Sequence, residues 1–429
     1  MFKFGIAKSD ITPELGSKLY GYPRERYAER IMDRLTVGAA YLADDNTSVL
    51  LMNTELCAFN VETCAEIRKA VSDATGVAFD NITYAVTHTH SGPVTHTSEG
   101  WGTTDTSYID TVLIPASIKA ASEAIESAQP ALMATSTAEC YAGINRRQHI
   151  DGKVELGQNP DGAYDPTMVV MSFKSPDGKA LGTLVHFATH PTVAGANLSV
   201  TRDWPGVLVD KVEENTNALC MYYNGAEGNV GPRLLNGRTT GSEEDIYYIG
   251  GIVAKSALEA LEKAADYIEP KVSCYAEDIL LPFSKEPTVE ELDAKREAMG
   301  NPDDLYITDL KLYKKLGKIK EMLLAGETLP KGVTHRQSVI AVGDLAIVPV
   351  CFEAFTEIAM NLRAKSPYKQ TIAMGITSGT RSYLPTEEEL PYGGYEVTAF
   401  RTSALLSFAD NLDKIVVDEY VKLLNKLNK

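Results

Sequence analysis

The segment Thr87-His88-Thr89-His90-Ser91-Gly92-Pro93 puts two imidazoles at the end of the apolar run Asn81 to Val86. Alternation along a strand predicts His88 and His90 on one face, about 7 Å apart at ~3.3 Å per residue, with Gly92-Pro93 ending the strand. Two imidazoles at an exposed strand end suit metal ligation or proton transfer, and they equally suit a structural, hydrogen-bonded role. Leu184-Val185-His186-Phe187-Ala188-Thr189-His190-Pro191 ends in the same way, so His190, just before a chain-turning proline, is placed like His88. His186, inside that apolar run, reads as a core residue, and His96, His149 and His335 have no comparable context. A third apolar run, Ala346 to Phe352, leads into Glu353. That carboxylate either complements a helix N-terminus, worth about 0.3–1 kcal/mol, or binds a metal. Tyr383 and Tyr395 lie in a glycine-rich loop, where tyrosines commonly only pack.

These residues need a scaffold that brings distant strand ends together. Thr36 to Leu42 and Ser48 to Asn53 read as a hairpin, followed by a helix over Asn60 to Ala74 with Val61, Cys64, Ile67 and Val71 on one face. Tyr108 to Ala128 has helical spacing, and Met168 to Phe173 with Leu181 to Phe187 form a second hairpin around Ser175-Pro176-Asp177-Gly178. Further strands are predicted at Ala218 to Tyr223, Lys271 to Leu281, Ser338 to Val350 and Gln370 to Ile376. Helices are predicted at Trp204 to Asn215, Asp245 to Ala265, Ala354 to Lys365 and Ala404 to Leu427. The expected fold is α+β, a layered α/β arrangement with mixed sheets, forming a single domain over residues 1–429. The charged segment 286–331, with helical runs Thr288 to Met299 and Asp309 to Gly326, is expected to be a helical insertion, either a cap over the active site or a solvated hairpin.

Composition excludes several partner classes. The chain has 429 residues, 44% hydrophobic and 23% charged, well away from disordered compositions. Its 41 basic against 58 acidic side chains give a net charge of −17, which repels nucleic-acid phosphates and anionic membrane surfaces. No stretch approaches the ~20 apolar residues of a spanning helix, and the N-terminus lacks a signal-like apolar region. The six cysteines are scattered without a C-x-x-C pair, which favours free thiols in a reducing compartment. A cytoplasmic protein acting on a small molecule, without integral membrane association, is therefore expected; the Asn-x-Ser/Thr triplets at Asn46, Asn81 and Asn197 read as chance.

Taken in order, the motifs carry a resemblance. Ser9-Asp10-Ile11-Thr12-Pro13 with Gly21-Tyr22, then Thr87 to Pro93, Asn145-Arg146, Ala188-Thr189-His190-Pro191, Phe352-Glu353-Ala354-Phe355-Thr356 and Ser382-Tyr383 with Tyr395-Glu396 run in the order of the neutral/alkaline ceramidase family. The chain resembles the N-terminal catalytic domain of that family. The resemblance implies a zinc ion held by His88, His190, Glu353 and Tyr383, with His90 as general base and then acid, and Arg146 and Tyr395 donating to the developing oxyanion. Zinc commonly takes imidazole and carboxylate ligands, makes bound water acidic near neutral pH and polarises carbonyl oxygens, so the implied chemistry is hydrolysis.

The departures bear on the substrate. The loop Asn224 to Pro232 has Gly231 where the family carries a serine, which excludes a mechanism needing that hydroxyl. Residues 1–429 are expected to make up the catalytic domain without the β-sandwich domain and signal peptide that the family carries. Together these predict cleavage of a C–N bond in a small soluble acyl compound rather than a membrane lipid. An esterase, lactonase or lyase on the same site is the alternative reaction. A non-catalytic zinc-containing ligand-binding protein would need neither His90 nor Arg146, and a barrel-type amidohydrolase would carry its H-x-H on the first strand.

Overall fold

Two sheets lie face to face, with helices on their outer sides, in the computed structural model, which describes residues 1–98, 101–305 and 307–429, and Ile307 and Thr308 by backbone alone. The first sheet runs Ile82–Val86, Ser48–Thr54, Thr36–Ala43, Lys3–Asp10 and the short edge Gln129–Pro130. The second runs Cys220–Asn224, Ala180–Phe187, Thr167–Lys174 and Leu132–Glu139. Both mix parallel and antiparallel pairs, the α+β character expected from the sequence.

Period-two alternation explains why these strands are buried on both faces. In Ser48–Thr54, Leu50 and Met52 point to helices Val61–Thr75 and Ile114–Glu126, while Val49 and Leu51 point to the facing sheet. In Cys220–Asn224, Met221 and Tyr223 fill the layer between sheets, and Cys220 and Tyr222 pack under helices Trp204–Thr216 and Glu243–Glu262. A third sheet, Val272–Pro282, Gly332–Val342, Leu345–Pro349 and Gln370–Met374, adds Leu345 and Ile347 to the central layer. Its other face, with Ala346 and Val348, packs against helices Thr356–Lys365 and Leu412–Leu427.

The parallel pairs position the site. Thr54 and Val86, Phe187 and Asn224, and Pro349 and Met374 close three parallel ladders, one from each sheet. These ends are tied together: the Asn224 side-chain amide donates to the Thr87 carbonyl at 3.1 Å, and the Gly375 amide donates to the Asn224 carbonyl at 3.0 Å. Chain segments leaving the carboxyl ends of the three ladders therefore converge on one place, where α/β folds commonly bind ligands.

Two predicted elements differ. Ser338 to Val350 is two antiparallel strands, because Gly343, at φ +60°, turns the chain between Val342 and Leu345. The predicted helix Ala404 to Leu427 begins only at Leu412, and a separate helix occupies Tyr395–Thr402. Between them the Ala409 amide donates to the Pro282 carbonyl and the Ser284 amide to the Ser407 carbonyl. Phe408 is drawn into the core under the third sheet, so tertiary pairing overrides a good local helix pattern. The charged segment forms helices Val289–Met299 and Ile307–Leu324, the first with a Thr288/Glu291 capping box. Leu292, Leu316 and Ile319 bury against Leu406; Tyr306 lies outside the described residues.

Candidate metal centre

The predicted strand pair of imidazoles takes a different form. The strand ends at Val86, and His88 adopts φ +75°, a left-handed conformation uncommon for a residue other than glycine. It is held there by its own amide, which donates to the Leu56 carbonyl at 2.9 Å. The two rings consequently meet edge to face, with Nε2 atoms 3.2 Å apart, instead of standing 7 Å apart on one strand face.

His190 leaves the end of Ala180–Phe187 and is fully buried. Glu353 begins the two-residue strand Glu353–Ala354, paired in parallel with Tyr383–Leu384, so Glu353 stands directly opposite Tyr383. The Glu353 Oε2 lies 3.2 Å from His190 Nε2 and 3.4 Å from His88 Nε2. Each imidazole turns its other nitrogen to a backbone carbonyl: His88 Nδ1 is 2.7 Å from the Cys57 oxygen, and His190 Nδ1 is 2.8 Å from the Glu227 oxygen. Carbonyls only accept, so the Nδ1 atoms carry the hydrogens and both Nε2 lone pairs face Glu353. Three electron-pair donors pointing at one another are stable only around a positive charge, and this arrangement, imidazoles fixed from behind by carbonyls, is how proteins hold a divalent cation. The donor set fits a metal.

Ionisation in the cluster shows the same demand. Burial opposes charge on His88, yet Cys57 and Glu353 beside it outweigh that and hold the imidazole above its ordinary range. Burial likewise works against the Glu353 carboxylate, but His88 and His190 keep it well below the usual carboxylate range. Burial, then Arg146, pushes His190 down to about 3. His90 is held low by burial and by His88 and His190, so it stays neutral.

Around this centre the other predicted residues separate into two groups. His90 and Tyr395 line a cleft of about 440 Å³ together with His88, Glu353 and Tyr383. Arg26 fixes the His90 backbone, its Nη2 donating to the His90 carbonyl at 2.7 Å, and Gly21 packs so closely that a Cβ there would lie 2.5 Å from the His90 side chain. Arg146 instead sits behind Tyr383, donating through Nη2 to its hydroxyl at 3.1 Å and through Nε to Glu396 Oε1 at 3.0 Å. Among the described residues it is not one of those lining the cleft, so the expected donation to an oxyanion stands as a proposal and the placement observed is the one behind Tyr383. Gly231, bridged to Ile144 beside Arg146, brings no side chain to the site.

Sequence reading missed several neighbours. Glu396 is wholly buried between Arg146 and Arg147, and a bulge between Asn145 and Arg147 is what lets consecutive arginines reach one carboxylate. The run Arg146-Arg147 was the available signal. Glu227 is also fully buried, with neither carboxylate oxygen hydrogen-bonded among the described residues, and burial pushes it up to about 8. Cys57 places its sulfur 3.7 Å from His88 Nδ1. Trp101 and His96 enter the cleft from the segment after the H-x-H motif. His186, by contrast, is a core residue with Nε2 2.9 Å from the Ala373 carbonyl.

Comparison with known proteins identifies similar chains. The sequence model of the neutral/alkaline non-lysosomal ceramidase N-terminal region matches residues 2–233. The crystal structure of neutral ceramidase from Pseudomonas aeruginosa superposes with a TM-score of 0.75 at 18% identity, covering 99% of this chain and 75% of that one. A ceramidase complexed with C2 gives 0.76 at 18% identity, covering 100% and 75%.

Proposed function

Because this chain belongs to the neutral/alkaline non-lysosomal ceramidase family, we propose that it is a zinc-dependent hydrolase that cleaves the C–N bond of a small acyl compound. The observation carrying this reading is the convergence of His88, His190 and Glu353, three acidic or basic side chains on segments that follow strands of three different sheets and whose donor atoms lie within 4.8 Å of one another. These three and the Tyr383 hydroxyl would hold the ion. Bound there, zinc supplies Lewis-acid chemistry, making water acidic and polarising the acyl carbonyl.

The remaining steps belong to side chains. His90, neutral and fixed by Arg26, accepts the proton of the attacking water and returns it to the leaving amine, so that hydrolysis yields a carboxylic acid and an amine. Tyr395, at the cleft wall with its ring 5.5 Å from that of Tyr383, donates to the oxygen that gains charge. Arg146 is a positioning residue: anchored on Glu396, it holds the Tyr383 hydroxyl and favours negative charge on it against the burial that raises its pKa. The helical insertion forms part of the cleft wall through Lys311.

Elemental analysis of the purified protein tests the metal. One zinc per chain is expected, lost in Glu353→Ala and His88→Ala. His90→Ala should keep the zinc and lose about 10²–10⁴-fold in turnover of N-acyl amines. Equal zinc loss in the His88 and His90 variants would overturn the separation of ligand from base, and a zinc-free wild type would overturn the whole reading. Efficient cleavage of long-chain ceramide alone, with no short N-acyl compound turned over, would overturn the substrate assignment.

A further inference from the structure

Resting on the amide-hydrolase reading, we infer that the cleft is built for a substrate carrying its own carboxylate, with Lys311 and Arg381 as the recognising cations. Besides Glu353, the charged side chains lining the cleft are these two and Glu62. Arg381 stands two residues before Tyr383 in the same ribbon: its backbone amide donates to the Cys351 carbonyl at 2.9 Å, and the Glu353 amide donates to Ser382. The backbone of Arg381 is thereby fixed beside the reacting centre, and the residue lines the same cleft. It is half-buried, its Nε has no acceptor, and no carboxylate lies within 4.0 Å of it among the described residues. The groups that feel its charge are Cys351, with which its side chain also hydrogen-bonds, His335 and Tyr420, none of them a carboxylate that would neutralise it.

Lys311 reaches the same cleft from helix Ile307–Leu324 and likewise has no ion-pair partner among the described residues. It and Glu62 both act on His96, which places them on the side of the cleft where His96 lies. Other buried or half-buried arginines are satisfied in place: Arg146, Arg147 and Arg363 hold a carboxylate, and Arg26 and Arg68 donate to backbone carbonyls. With a divalent ion on the two neutral imidazoles and Glu353, the lining carries a net positive charge against an acidic exterior, which concentrates small anions at the cleft. A half-exposed guanidinium in a ready-made fork binds a carboxylate through charge-assisted, bidentate hydrogen bonds. The chemical class is an amide bearing a carboxylate, on either its amine or its acyl side.

The test uses N-benzoylglycine and its neutral carboxamide N-benzoylglycinamide, which differ only in the charged group, and N-phenylsuccinamate with its own carboxamide for a carboxylate on the acyl side. Calorimetric Kd values and kcat/KM are measured for the zinc-loaded wild type, Arg381→Gln, Lys311→Gln and Arg381→Lys. Wild type is expected to prefer at least one acid over its carboxamide by about tenfold or more, the preference weakening with added salt. Arg381→Gln should collapse that ratio toward one, with partial recovery in Arg381→Lys, while zinc content stays at wild-type level. Equal binding of acid and carboxamide in both pairs, or an acid preference that survives both glutamine substitutions, overturns the inference. Acid-selective binding without hydrolysis of any compound would instead refute the amide-hydrolase reading and leave the anion site standing.

Discussion

Glu396→Gln is the most informative single change away from the metal ligands. The carboxylate is 0% exposed and accepts from Arg146 Nε at 3.0 Å and Arg147 Nη1 at 2.7 Å. Glutamine keeps the size but turns an amide donor toward one guanidinium, so one charge-assisted hydrogen bond becomes a donor–donor contact and both cations lose a counter-charge. Removing one partner of a buried ion pair costs about 3–5 kcal/mol. Arg147 retains Glu389 at 2.8 Å and the Gly393 carbonyl at 2.8 Å, whereas Arg146 retains only the Tyr383 hydroxyl. The lower end, about 3 kcal/mol, is therefore expected. With an unfolding entropy of about 2.1 cal/mol/K per residue, 429 residues give about 0.9 kcal/mol/K, so the melting temperature should fall by only about 3 °C, and urea titration is the better assay. Zinc should be retained, since Glu396 touches no proposed ligand except through Arg146, while kcat should fall as Tyr383 loses its fixed support. A urea-derived loss below about 0.5 kcal/mol would refute the reasoning, because it would mean that the two buried guanidinium groups do not depend on this carboxylate.

Gly21→Ala should lower turnover by tenfold or more with zinc retained, because the added Cβ would lie 2.5 Å from His90 at a φ of +109° and must displace the proposed base; normal kinetics would show that His90 has no positional demand. Acid stability should follow His186, which burial pushes down to about 4 against an ordinary 6.5. Between these values the unfolded chain binds a proton that the folded chain does not, so stability is full above pH ~6.5 and falls by up to about 3 kcal/mol as pH drops toward 4. Urea midpoints from pH 4 to 7 should show a shallower fall in His186→Asn than in wild type, and parallel curves would remove His186 from the acid response.

Much of this architecture was legible in the chain. Apolar runs such as Val49 to Met52 and Ala346 to Val350, bounded by turn residues, determined the strands, because a strand covered on both faces must be apolar at every position. The helix Val61–Thr75 followed from its single apolar face. The candidate site was legible for a related reason: His88, His190 and Glu353 each follow such a run, and ordered motifs tied them to one family. Their mutual placement was not. Local alternation spread His88 and His90 along a strand, whereas contact with the Leu56 carbonyl holds His88 in a left-handed turn in which the two rings meet edge to face and His88 Nε2 comes 3.4 Å from Glu353. Arg146 read as a hydrogen-bond donor to substrate, and only the packing of Tyr395–Thr402 against the Arg146-Arg147 bulge, bringing Glu396 between the two arginines, puts it behind Tyr383. The same distinction holds for Lys311 and Arg381, cations 70 residues apart in sequence that meet in one cleft. Sequence alone determined which residues stand at strand ends, since that depends on neighbours along the chain. Tertiary structure decided which charges find partners, since that depends on segments hundreds of residues away.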